Sequence, residues 1–130
     1  MLELKDFEAA YNKVQEVVLP TKLIKSDYFS DQTGNDVYLK PENMQLTGAY
    51  TIRGAYYKIS TLSEEEKAKG LITASAGNHA QGVALAAARQ GVKATIVMPT
   101  TTPLLKVNRT KDLGAEVILH GDVYLSLIHI

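Results

Sequence analysis

The feature that most constrains this chain is a regular alternation in its second half. LITA (71–74), ATIVM (94–98) and EVIL (116–119) are short, nearly unbroken apolar runs, and each gap between them carries a helical pattern. One helix is read over residues 78–90 and stops at Gly91. The other is capped by Thr102, has Pro103 in its first turn and ends at Gly114. Strand, helix, strand, helix, strand at this spacing predicts right-handed crossovers and a parallel sheet. Strands that are apolar along their whole length predict a sheet covered on both faces, the middle of a three-layer αβα arrangement.

The first half is less regular. Leu4, Phe7, Tyr11, Val14 and Val18 recur at helical spacing and predict one amphipathic helix that stops before Pro20. Residues 21–35 are rich in turn formers and are expected to be irregular. Val37 to Leu39 is a short strand candidate ended by Pro41, and a helix follows over about 49–60. Ser63 with Glu66 makes a capping box for a short helix closed by Gly70.

Composition narrows the function. Fourteen basic and fourteen acidic side chains cancel, so no basic field invites nucleic acid. There is no cysteine, which excludes disulfide and thiolate chemistry. His79, His120 and His129 lack the spacing of metal ligands, so no metal site is expected. No run approaches the roughly 18 apolar residues of a membrane span, and MLELKDFEAAY has no signal core. A cytoplasmic protein is expected.

Ligands of open parallel sheets sit beyond the carboxyl ends of the strands. SAGNHAQG (75–82) lies there. Gly77 would let the backbone turn tightly, and the free N–H groups that open the following helix would form an anion site strengthened by the helix dipole. Ser75 and Asn78 add polar groups able to orient a small carboxylate or phosphate. Asn78 with Gln81 also makes a workable capping pair, and His79 could be a satisfied, partly buried side chain. The motif is neither GxGxxG nor a P-loop, so nucleotide binding has little support.

Two segments together become specific. KPENMQLTGAYTIRGA (40–55) and SAGNHAQGVA (75–84) closely resemble the threonine/serine dehydratase branch of the fold-type-II pyridoxal-phosphate enzymes, which are tryptophan synthase β-like in fold. VMPTTTPLLKVNRTKDLGAEVILHGD (97–122) agrees, so the resemblance runs from about Leu19 to Tyr124. It implies a partial fold-type-II domain and a parent that deaminates threonine to 2-oxobutyrate and ammonia, with serine dehydration or racemisation as the alternative. It implies pyridoxal 5'-phosphate as cofactor, an amino-acid substrate (threonine, with serine as the alternative) and a homo-oligomeric parent. Ser75, Ala76, Gly77, His79 and Gln81 resemble the segment that holds the substrate carboxylate, and Asn78 matches the residue that bonds the cofactor's ring hydroxyl.

At Thr51 the chain departs from the family. There the motif has the lysine that forms the Schiff base with the cofactor and moves the substrate's α-proton. A threonine hydroxyl cannot form an imine, so covalent attachment and activity of this chain are not expected. Lys58 lies seven residues on, roughly 10 Å along a helix axis, which is more than a lysine side chain spans. Lys40 resembles the KPEN lysine, and nothing in the sequence brings it to the site. The ending is also unusual. LSLIHI (125–130) does not continue the pattern, and it is what CTG TCT CTT ATA CAC ATC encodes, bases that resemble a transposon end used in library adapters. Residues 1–124 are read as an N-terminal portion of the catalytic domain, mostly its small domain, and 125–130 as a non-native tail. A non-catalytic α/β carboxylate-binding module remains the alternative to an enzyme fragment.

Overall fold

The three apolar runs become three parallel strands in a computed structural model that describes residues 1–123 of the protein; the expected break after 124 and the tail 125–130 fall outside them. The strands are β3 (Leu71–Ala74), β4 (Ala94–Met98) and β5 (Glu116–Leu119), in the order β3-β4-β5. Leu71 aligns with Ala94, and Thr95 with Glu116. The crossovers are α5 (Asn78–Arg89) and α6 (Leu104–Asp112). Because a strand's side chains alternate, Leu71, Ala94, Ile96, Met98 and Val117 share one face. That face packs into one apolar cluster with the alanines of α5 and with Val107 of α6.

The opposite face departs from the expectation of two covered faces. Ile72 and Ile118 lie there and are 68% and 44% exposed, although Val97 on the same face is buried. Two successive crossovers of one hand along an unbroken strand order place both helices on the same side. Neither α5 nor α6 therefore forms a third layer on that face. The architecture is α/β with a parallel sheet, as read from sequence, but only part of the three-layer arrangement is present.

The first half surrounds α3 (Thr51–Ser60). Ile52, Ala55, Tyr56 and Ile59 bury its inner face, and α5 is its main partner. α1 (Leu4–Val14) is shorter than its periodicity predicts, and Leu4, Phe7 and Tyr11 stay exposed. The chain beyond it tightens into turns, with the N–H groups of Val17 and Val18 both donating to the Val14 carbonyl. Residues 21–35 are not irregular throughout. They hold β1 (Ile24–Lys25) and α2 (Asp27–Thr33), and β1 pairs antiparallel with β2 (Tyr38–Leu39). Ser26 caps α2 by accepting from the Phe29 N–H, and Gly34 closes it at φ +68°, a conformation that costs glycine little. α4 (Glu64–Lys69) carries the predicted Ser63–Glu66 capping box. At α6 the expected cap is absent. Pro103 is the N-cap, and the buried Thr102 hydroxyl has no partner among the described residues.

Two long-range polar links anchor the N-terminal segment. The buried Gln45 amide accepts from the Leu19 N–H at 3.0 Å and donates to the Leu19 carbonyl at 2.7 Å. Arg53 makes a two-pronged ion pair with Glu42, both N–O distances 2.8 Å, which ties the 3-10 turn at Glu42–Met44 to α3. The Arg53 guanidinium holds the Glu42 carboxyl down to about 2, against the cost of its burial and with help from the Thr21 hydroxyl.

Ile96 is fully buried at the centre of β4. Ile96→Ala is expected to cost about 2–5 kcal/mol, read from the midpoint of urea unfolding. The depressed pKa of Glu42 gives a second expectation. A carboxyl whose folded pKa lies below its unfolded value contributes stability above the unfolded pKa, and this is lost as pH falls toward the folded one. The difference in urea midpoint between the parent chain and Glu42→Gln should therefore be constant above about pH 5 and shrink from there toward pH 2. A difference that does not change over that window would show that the pair is not coupled to folding.

Candidate functional site

The loop between β3 and α5 is fixed from within. Ser75 follows the last residue of β3 and donates its N–H to the Val97 carbonyl at 3.0 Å, which fastens the loop to β4. Its buried hydroxyl accepts from the Gly77 N–H at 3.3 Å and the Ala80 N–H at 3.2 Å. Ser75 is thus the residue that caps α5, and the possible Asn78–Gln81 capping pair does not form. The Gln81 side chain is buried, and its Oε1 has no partner among the described residues. Gly77 has φ −132°, and a Cβ there would meet nothing within 4 Å. The turn itself therefore does not require glycine. What Gly77 contributes is open space beside the helix start.

Three backbone donors remain. The N–H groups of Ala76, Asn78 and His79 have no acceptor among the described residues. Two of them open a twelve-residue helix, where the aligned peptide dipoles favour an anion. The Asn78 and His79 side chains are exposed beside them, and Asn78 has no side-chain partner among the described residues. A carboxylate, with two acceptor oxygens, suits free N–H donors at a helix start.

Position 51 lies at the edge of this loop. Gly48, at φ +69°, closes a turn by donating its N–H to the Gln45 carbonyl at 2.7 Å, and α3 starts three residues later. The helix thus begins at Thr51 and not at 49 as the pattern suggests. The Thr51 hydroxyl donates to the Asn78 carbonyl at 3.0 Å. The two helices can approach this closely because residue 82 is glycine. A Cβ on Gly82 would lie 3.0 Å from Thr51 Oγ1 and 3.2 Å from the Ile52 nitrogen. So the fold brings Thr51, Ser75, Ala76, Gly77, Asn78 and His79 to one end of the sheet. Gln81 belongs to the buried side of the same helix turn.

The other lysines considered from sequence lie elsewhere. Lys40 donates to the Thr21 carbonyl at 2.7 Å. Lys58 is exposed at a groove of about 250 Å³, where Gly54, Ile59, Val83 and His79 also lie. Sequence reasoning did not find the Gly82 crossing or the Glu42–Arg53 pair. Glu42 and Arg53 lie in different elements, the 3-10 turn and α3, so no single helical or strand pattern announces their pairing.

Comparison with known proteins places the chain in a family. Residues 14–129 match the family described as pyridoxal-phosphate dependent enzyme. The chain is 52% identical over 124 residues to an L-threonine ammonia-lyase of Thermotoga maritima, covering 95% of this chain and 31% of that protein. It is 55% identical over 122 residues to a Staphylococcus aureus L-threonine dehydratase catabolic TdcB, covering 93% and 35%. The fold superposes on the processed form of threonine deaminase isoform 2 from Solanum lycopersicum with TM-score 0.82 and 41% identity, over 95% of this chain and 35% of that one. The chain thus spans about a third of the length of the curated relatives it matches. It belongs to the family of pyridoxal-phosphate dependent enzymes.

Proposed function

We propose that this chain carries the amino-acid recognition half of an L-threonine ammonia-lyase site, and that it does not itself deaminate threonine. The observation that carries the reading is the open first turn of α5, lying within hydrogen-bond reach of position 51. Ala76, Asn78 and His79 N–H groups would receive the substrate carboxylate, and Gly77 leaves the space for it. Ser75 would act indirectly, by holding the loop in shape. Threonine and serine present the same carboxylate to this loop, so the reading covers both. A homo-oligomeric parent belongs to the same proposal, by resemblance.

The family's cofactor, pyridoxal phosphate, supplies an electron sink for charge developing at the substrate's α-carbon. The residues present fit it in one respect and not in another. Asn78 offers a side-chain amide with no partner among the described residues, suited to a ring hydroxyl. Position 51 offers no amine, and the Thr51 hydroxyl donates its proton to the Asn78 carbonyl. A hydroxyl is also far too weak a base to take an α-proton near neutral pH. Recognition is retained while covalent attachment and proton transfer are lost.

Two experiments test this. In amide NMR spectra of the chain, L-threonine is expected to shift Ala76, Asn78 and His79 selectively; shifts spread over the surface, or none, would remove the recognition half. The second experiment joins residues 1–123 to the remaining part of the Thermotoga maritima enzyme. The Thr51→Lys version is expected to release 2-oxobutyrate from threonine and to show the visible absorption of a lysine-bound cofactor. The Thr51 version should be slower by about 10³-fold or more. Equal rates for the two would refute the assignment of position 51.

A further inference from the structure

We infer that Thr51 is a positioning residue for the carboxylate-binding amides, through the peptide that joins Asn78 to His79. The inference rests on the carboxylate reading for its purpose, but its geometry stands apart from it. The Thr51 hydroxyl donates to the Asn78 carbonyl at 3.0 Å, across 27 residues of chain. In a trans peptide the carbonyl and the following N–H belong to one rigid plane and point in opposite directions. The N–H of that plane is His79's, one of the three without an acceptor among the described residues. A hydroxyl proton on the carbonyl oxygen therefore does two things to the opposite end of the same group. It limits the rotation of a first-turn peptide, where helices are least constrained. It also draws electron density toward the oxygen and makes the N–H a stronger donor, as in any chain of linked hydrogen bonds.

Gly82 makes the contact possible. A methyl there would meet Thr51 Oγ1 at 3.0 Å and the backbone of residues 51 and 52 at 3.2 Å, so α3 would have to move away. The side chain at position 51 thus leaves α3 directly over α5's first turn. In this chain it ends in a short donor fastened to that turn.

The test uses the 130-residue chain labelled with ¹⁵N, in four forms: parent, Thr51→Ser, Thr51→Val and Thr51→Ala. Serine keeps the donor, valine keeps the shape without it, and alanine serves should the valine variant fail to fold. The first readout needs no ligand and is the His79 amide proton frequency. It should move upfield in the valine and alanine variants and be restored by serine, an effect that a purely steric role would not produce. The second readout is the titration of Ala76, Asn78 and His79 amides with L-threonine. Loss of the donor should weaken binding about three- to tenfold, and serine should recover it. A His79 amide unmoved by valine and alanine overturns the inference. A His79 amide that moves as expected, in a chain whose loop ignores threonine, keeps the positioning role and discards the carboxylate reading.

Discussion

The structure depends on the absence of one side chain, at Gly82. There α3 and α5 approach until the Thr51 hydroxyl reaches the α5 backbone, and no residue with a Cβ fits between them without a shift. The interior follows from that distance. Ile52, Ala55, Tyr56 and Ile59 of α3 meet Ala80, Val83, Ala84 and Ala87 of α5, large residues against mostly small ones. The alanines of α5 look uninformative in the sequence, yet they let this helix lie between the sheet on one side and α3 on the other. Dispersion contacts fall off steeply with separation, so a wider crossing would loosen both sides at once.

The same crossing joins two stretches that lie far apart in the chain and makes a site of them. β3 delivers the loop to the carboxyl edge of the sheet, and Ser75 holds it against β4 and caps the helix. α3 delivers position 51 to the loop. Its orientation is secured at its other flank by the Glu42–Arg53 pair, where a largely buried carboxylate meets a guanidinium fork. The polar groups in this region thus divide into those occupied in holding the backbone and those left open. Ser75, Glu42 and Thr51 are occupied. The amides of Ala76, Asn78 and His79 are open among the described residues, and the proposed recognition would rest with them.

The three strands of the sheet could be read residue for residue, because each apolar run is sharply bounded, LITA by Gly70 and Ser75, ATIVM by Lys93 and Pro99, and EVIL by Gly114 before it and His120 after it. The loop could be placed for the same reason, since an open parallel sheet has only one end where ligands bind. Other features were harder to see. Helix α2 has a serine cap and a closing glycine, but its body, DYFSDQT, lacks an apolar stripe, and turn formers masked it. Leu4, Phe7 and Tyr11 have ideal spacing and yet remain exposed, because periodicity reports which residues share a face and not what covers that face. That the Ser75 hydroxyl accepts from its own loop is not visible in the sequence, because a hydroxyl in such a loop reads the same whether it faces a ligand or its own backbone. Thr51 was recognised as a substitution, but its bond to Asn78 depends on a crossing that no local pattern encodes.

The order of the elements also bears on how the molecule is made. α3 leaves the ribosome well before its partner, since Thr51 precedes the Asn78 it bonds by 27 residues. At about 5–20 residues per second, the apolar side of α3 waits for seconds before α5 exists to cover it. The sheet waits as well, because β3 has no neighbour until β4 is complete. Ile52, Tyr56 and Ile59 therefore stay uncovered on the nascent chain until α5 has been made. The contact that organises the finished protein is one that synthesis delays.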